Sequence, residues 1–196
     1  MKAVFVAFVA ASALATTGCG NSSNRRNAAD YFVPAAQEES SVLEVSFVFT
    51  RQGGIASNQF AVWIEDAQGG YVRTLYATRW TAAGGWRRRE NSIPQWVRQS
   101  GVAGRDQAYV DALAGPTPRT GATRHVWDGR DYAGQAVSPG EFRVFVEASL
   151  RWYDRVVHSA VVRLGEAGQV IAEPEFFGDR TGERSMIGPV TVTVLP

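Results

Sequence analysis

Hydrophobic positions along this chain recur every second residue far more often than every third or fourth. From Val42 to Thr50 the run VLEVSFVFT sets Val45, Phe47 and Phe49 on one side and Glu44, Ser46 and Val48 on the other. That alternation marks a strand with one buried face. Gln59 to Asp66, QFAVWIED, alternates again, and Ala67-Gln68-Gly69-Gly70 provides a turn into a third strand, Tyr71 to Arg79. Two strands joined so closely form a hairpin. Ala122 to Trp127, Glu141 to Trp152, Arg155 to Leu164 and Pro189 to Leu195 read as further strands, with Asp154 and Gly165-Glu166-Ala167-Gly168 as turns. Roughly seven short strands, with turns every eight to twelve residues or so, predict an all-β domain: an antiparallel β-sandwich of immunoglobulin-like topology.

The stretch from about 80 to 120 breaks this pattern. It holds Gly84-Gly85, the basic run Arg87-Arg88-Arg89, Pro94 and three tryptophans, Trp80, Trp86 and Trp96, with no alternating run. A long, Trp/Arg-rich, partly helical excursion from the sheet is expected. Ser92 before Ile93-Pro94 marks one helix start, and Arg105 to Ala114 a second short helix stopped by Gly115 and Pro116. Aromatic faces stack on flat rings, and guanidinium groups pair with phosphate or carboxylate. Trp80, Trp86 and Trp96 with Arg79, Arg87 and Arg88 are therefore a candidate ligand or partner surface. The competing expectation is a satellite core beneath a long loop, with the arginines stacked on it.

Ahead of the strands, residues 2–20 carry one positive charge, then an apolar run from Ala3 to about Ala15, then small residues ending at Cys19. This is the pattern of a secretory signal, too short to be a permanent membrane span. Ala13-Leu14-Ala15 offers a site to the general signal peptidase. Thr16-Thr17-Gly18-Cys19 offers a lipobox, in which cleavage precedes a diacylated cysteine. The lipoprotein is the preferred reading, because a lone cysteine before the polar stretch Asn21 to Asn27 is otherwise unexplained, and Gly20 after it resembles outer-membrane sorting. The expected layout is a signal peptide over 1–19, a flexible tether over 20–41 and the sandwich over 42–196. The expected location is the periplasm, lipid-anchored to the outer membrane, with a secreted or soluble periplasmic protein as the alternative.

Composition narrows the chemistry. At 45% hydrophobic and 20% charged residues the chain can bury a core and fold unaided. Basic residues number 20 and acidic 19, and removal of Lys2 with the signal leaves no net charge to hold a phosphate backbone. Nucleic acid is not an expected partner. The mature chain has no lysine and no cysteine beyond Cys19, which excludes Schiff-base catalysis, Cys-rich zinc sites and internal disulfides. Its two histidines, His125 and His158, lie in strand-like stretches with no carboxylate or second histidine at ligand spacing. No serine sits in a nucleophile elbow. No catalytic residue, metal site or enzymatic activity is expected.

Trp127 to Val144, WDGRDYAGQAVSPGEFRV, resembles the WDG-x-D-x-x-G-x-x-V-x-x-G-x-Y pattern of the immunoglobulin-like domain in the flagellar hook-capping family. The residues agree with a turn-rich segment: Asp128 and Asp131 can accept backbone N–H bonds, and Gly129, Gly134 and Gly140 can adopt positive φ. A calcium site on the two carboxylates is the weaker reading, because the spacing falls short of an EF-hand's ligand count.

A wider resemblance runs through F-A-V-W-I-E-D-A-x-G-x-Y-V-R-T-L-Y-A-T-R-W (Phe60 to Trp80), G-G-W-R-R-R (Gly84 to Arg89), I-P-x-W (Ile93 to Trp96), D-A-x-x-G-x-T-P (Asp111 to Pro118) and W-D-G-x-D (Trp127 to Asp131). In this order they resemble an uncharacterised family of predicted periplasmic domains encoded beside PepSY-domain membrane proteins and FAD:protein FMN transferases. The resemblance implies membership in an extracytoplasmic electron-transfer or flavin-linked system, with such a PepSY protein and FMN transferase as partners. These transferases esterify a Thr or Ser hydroxyl to the FMN phosphate in a motif resembling D-x-x-S/T-G-A-T. Asp111 to Thr117 keeps Asp111, Gly115 and the acceptor-position Thr117, while Ala114 and Pro116 depart from it. Covalent FMN on Thr117, presented by Asp111 and Gly115, is what the resemblance implies. Taken alone, the same residues read as a short helix ended by Gly115 and kept from continuing by Pro116 and Pro118. The expected function is a non-catalytic accessory or binding protein of the envelope. The alternative is a structural or adhesion-type immunoglobulin-like module that binds protein or glycan.

Overall fold

The computed structural model describes residues 42–54, 57–178 and 186–196; the expected signal, Cys19 and the tether lie outside them. Among the described residues, ten strands form two sheets. β1 (Leu43–Phe49), β5 (Gly121–Trp127), β8 (Gly168–Ile171) and β10 (Thr191–Val194) make a four-stranded sheet in the order β5-β1-β10-β8. β2 (Gln59–Asp66), β3 (Tyr71–Thr78), β4 (Ala114–Gly115), β6 (Gly140–Arg151), β7 (Asp154–Leu164) and β9 (Glu173–Phe177) make a six-stranded sheet in the order β4-β3-β2-β6-β7-β9. Every pairing is antiparallel except the two-residue contact of β4 with β3. The all-β sandwich therefore stands, with three short edge strands, β4, β8 and β9, that the alternation did not reveal. Two to five residues are too few to show a period.

Between the sheets lies the main core, where Val45, Phe47 and Phe49 of β1 meet Phe60, Val62 and Ile64 of β2 and Val144, Val146 and Ala148 of β6. The β1 alternation came out as expected. QFAVWIED did not behave as a strand with one wet face: Gln59 to Glu65 are all buried. The reason is a third layer. The excursion folds back over the outer face of the six-stranded sheet, where Ala61, Trp63, Phe145 and Val157 pack against Ala82, Ile93, Trp96, Val102 and Val110.

Three short helices build that layer: α1 (Arg79–Ala82), α2 (Pro94–Ser100) and α3 (Gln107–Leu113). α3 begins as a capped helix should, with the Asp106 carboxylate accepting the Tyr109 amide at 2.8 Å. α2 does not use Ser92 as its cap. Ser92 is buried and shares a 2.7 Å hydrogen bond with the Thr81 hydroxyl. Ile93 takes the capping position at φ 43°, a costly conformation for a β-branched residue. It is held there by its amide on Ser149 Oγ (2.8 Å) and by complete burial of its side chain. The cap itself comes from another strand: Glu147 of β6 accepts the amides of Gln95 (3.2 Å) and Trp96 (2.8 Å). Arg155 of β7 donates to the same carboxylate at 2.9 Å. Burial pushes the Glu147 carboxyl above the usual range, against the pull of the two amides and the guanidinium.

The turn after β5 forms as its motif implies. Asp128 accepts the Arg130 amide, and Asp131 accepts those of Ala133 and Gln135. Gly129 and Gly134 take positive φ; Gly140 does not. The β6–β7 turn falls at Trp152-Tyr153, with Arg151 and Asp154 paired across it, so Asp154 opens β7 instead of turning the chain.

His158 sits opposite Val146 on the core-facing side of β7, 4% exposed, with only the Ala172 backbone to favour its protonated form. Burial lowers its pKa to about 4, so between that value and the unfolded 6.5 the unfolded chain binds the extra proton. Its contribution to stability is whole above pH 6.5 or so and is lost as pH falls toward 4. His158→Leu should remove this term. In urea unfolding at pH 7 and pH 5, the wild type is expected to lose about 1–2 kcal/mol more than the variant.

Candidate functional site

Where β3 ends, Thr78 closes the strand by exchanging hydrogen bonds with the Phe60 backbone, and the chain breaks into α1. From here a shelf opens between α1 and the 3-10 turn Gly85–Arg87: a surface depression of about 640 Å3 lined by Arg79, Trp80, Gly84, Gly85, Arg87 and Arg88. Trp80 is 45% exposed, and its ring lies directly against Gly85. A Cβ at Gly85 would fall 2.5 Å from the indole and 2.4 Å from the Trp80 carbonyl oxygen, so only glycine lets the ring lie so close. Arg87 lays its guanidinium over the half-buried Trp86, 4.8 Å from the ring centroid. Arg79 is neutralised by Asp111 at 2.6 Å, and Gln107 donates to the same oxygen at 3.0 Å. Neither Arg87 nor Arg88 forms an ion pair among the described residues, so the shelf keeps two uncompensated cations beside an exposed indole.

Of the expected surface residues, Trp96 has to be removed. It is fully buried on α2, and its indole N–H donates to Thr74 Oγ1 at 2.9 Å. Trp86 contributes only one half-buried face, packed on the second core. The two expectations for the tryptophans thus divide between them, with Trp80 on the surface and Trp96 in the satellite core.

Thr117 follows β4, which runs beside the residues that lead into the shelf. β4 pairs in parallel with Ala77 and Thr78, the two residues before Arg79. At about 3.3 Å per residue, no more than about 7 Å of chain separates Gly115 from Thr117. Tyr76 fixes this loop: its hydroxyl donates to the Pro116 carbonyl, and its ring stacks on Phe60 at 5.1 Å and meets His125 at 4.9 Å. Gly115 is required by that ring, since a Cβ there would lie 2.5 Å from it. The α3 helix ends at Leu113, and Ala114–Gly115 then forms β4, so Gly115 serves a strand contact and not a helix stop. Asp111 joins α3 to α1 through Arg79. Thr117 itself is half-buried.

His125 is held among Phe47, Phe60 and Tyr76, and burial lowers its pKa to about 4. No group of acidic, histidine or cysteine side chains among the described residues is arranged to hold a metal ion. Two features escaped the sequence reading. One is a recess of about 250 Å3 between β3 and α3, lined by Arg73, Thr74, Leu75, Leu113, Val126 and Asp128. Beside it Arg105 is sandwiched between the rings of Tyr109 and Tyr132 at 4.9 and 4.8 Å. The other is the exposed Trp152-Tyr153 turn. A hairpin turn without glycine or asparagine was its visible signal.

A family model described as "Predicted periplasmic protein (DUF2271)" matches residues 42–176. The chain belongs to this family. The match covers the strands from β1 to most of β9 together with the excursion, so the shelf, the Thr117 loop and the β6–β7 turn all lie within the DUF2271 domain. The family is one of predicted periplasmic proteins, and no helix among the described residues is long and apolar enough to cross a membrane. No curated protein and no solved structure matches the chain.

Gly115→Ala should drive the new methyl into the Tyr76 ring, which is clamped on Phe60 and cannot swing away. A loss of about 1–3 kcal/mol is expected in chemical denaturation, while Gly104→Ala, with open space around its Cβ position, should stay within about 1 kcal/mol of wild type.

Proposed function

We propose that this DUF2271 protein is a non-catalytic accessory and binding module of the cell envelope, and that the shelf holds its ligand. The observation that carries the reading is the exposed Trp80 ring, seated on Gly85, beside Arg87 and Arg88 with no acidic partner among the described residues. An indole face beside two guanidinium groups suits a ligand with a flat ring and an anionic group.

FMN has both. In the flavin form of this reading, an FMN transferase passes the FMN half of FAD to the Thr117 hydroxyl, forming a phosphate ester and releasing AMP. Tyr76 and Gly115 hold the acceptor loop, Arg87 and Arg88 offer charge to the phosphate, and Trp80 offers a stacking face. The bound flavin supplies electron transfer, with a PepSY membrane protein as the expected exchange partner. The departures at Ala114 and Pro116 remove a hydroxyl and an amide donor from the acceptor loop, so the loop depends on Tyr76 for its fixation. A diacylated Cys19 tethers the module to the outer membrane.

Exposure of Arg79, Trp80, Arg87 and Arg88 together favours one other reading, a module that binds protein or glycan on the same surface without flavin. Intact mass of the protein extracted in detergent from its native host separates the two. The flavin reading expects a diacylglyceryl mass on Cys19, an FMN mass mapping to Thr117 and loss of the FMN mass in Thr117→Ala. A colourless protein without the FMN mass, whose pull-down partner is lost in Trp80→Ala/Arg88→Ala, would decide for the other.

A further inference from the structure

The β6–β7 ribbon, the longest in the fold, ends in a two-residue turn whose side chains face solvent: Trp152 is 64% exposed and Tyr153 74%. Trp152 sits at φ 43°. The first position of such a turn is one that glycine or asparagine occupies without strain, and a bulky residue there is a true outlier. Strain of this kind, in a side chain left mostly exposed, points to use of the side chain itself. The rings are flanked by cations. Arg89 places its guanidinium 5.7 Å from the Trp152 ring centroid, and Arg151 begins the turn.

The charge around the turn extends this pattern. Arg51 follows β1 and Arg119 precedes β5, at the strand ends that share this end of the sandwich, where Phe49 pairs with Gly121. The acidic groups at this end include Glu90, next to Arg89, Asp154, at the base of the turn, and Asp111, paired with Arg79. The turns at the opposite end are mixed in charge: Asp128 pairs with Arg73 and Glu166 with Arg163, and Asp66, Asp131 and Arg130 complete the set. One end of the sandwich thus presents indole, phenol and guanidinium groups on convex loops. That set of side chains settles at the headgroup level of a bilayer, with rings in the acyl boundary and cations on the phosphates.

We propose that the Trp152-Tyr153 turn, with Arg89 and Arg151, is a contact for an anionic phospholipid surface. Two rings and a few cations bind such a surface reversibly, and a second attachment is needed for a lasting one. The contact does not depend on a flavin or on the shelf.

The test uses the folded domain, residues 42–196, and the full-length protein, each with vesicles of phosphatidylethanolamine and phosphatidylglycerol and with vesicles of phosphatidylcholine. Trp152→Gly/Tyr153→Asn relieves the strained φ, so its melting temperature should equal or exceed that of wild type, and folding does not confuse the result. The expected result is co-sedimentation of wild type with the anionic vesicles, a blue shift of tryptophan emission, weakening with salt, and at least tenfold weaker binding of the double variant. Arg89→Gln/Arg151→Gln should lose the preference for anionic over zwitterionic vesicles. The proposal is overturned if wild type ignores anionic vesicles at low salt, which would leave the turn to a protein partner. It is equally overturned if the glycine/asparagine variant binds as tightly as wild type.

Discussion

The carboxylate of Glu147 ties the strands to everything built upon them. It projects from the middle strand pair of the larger sheet, is fully buried, and has three donors: two amides at the start of α2 and the Arg155 guanidinium. A charge withdrawn from water this completely is tolerable only when its oxygens are fully satisfied. Each donor therefore fixes an element. The α2 amides have no partner within their own helix, and Ile93, at positive φ, cannot shift without losing its bond to Ser149. The excursion is docked by polar contacts of defined geometry, to which Gln59 with Thr81, Thr74 with Trp96 and Glu65 with Gln99 add further points. Apolar packing alone would let seven-residue helices slide.

This docking explains how a loop region can hold a shaped surface. α1 has a single turn, too short to be stable by itself, yet Trp80 and Arg79 are held in position. Thr81, on the same turn, is locked between Gln59 and Ser92, and Asp111 holds Arg79 from α3. Trp80 then faces outward because its neighbours on the turn are committed inward. The same tie passes through β4 to the Thr117 loop, where Tyr76 spans the main core and the Pro116 carbonyl. Shelf and Thr117 loop are consequently held by one connected set of contacts.

The strands were legible wherever one side of the alternation meets water. β1 shows it plainly: Phe47 and Phe49 inside, Val48 outside. β2 has nearly the same pattern in sequence and is buried on both faces, because what covers its outer face includes Trp96, 33 residues beyond Trp63. Nothing local to QFAVWIED carries that information. The helix cap failed for a related reason. Ser92 is the correct residue type in the correct place, and a carboxylate more than 50 residues further on displaced it. Trp80 and Trp96 could not be told apart by composition either; what separates them is whether the indole N–H finds a buried acceptor, and Thr74 supplies one only to Trp96. The Asp128–Asp131 turn was readable in full, since an Asx turn is made within a handful of residues.

The placement of the exposed aromatics follows from strand direction. β3 and β6 each pair with β2 in antiparallel fashion, so both end on the side where β2 begins. The loops leaving them, α1 with Trp80 and the turn with Trp152, are thereby obliged to share one end of the sandwich. Arg89 lies between them, near the Trp152 ring and one residue beyond Arg88 of the shelf. A partner seated on the shelf and a surface touching the turn would meet the same short arginine run, so occupancy of one alters the electrostatic field at the other. Exposed guanidinium groups interact through water over about a Debye length, near 8 Å at physiological salt. Any coupling between ligand and surface binding should therefore be modest and reduced by salt, because it passes through the field of Arg87 to Arg89 and requires no rearrangement of the sheets.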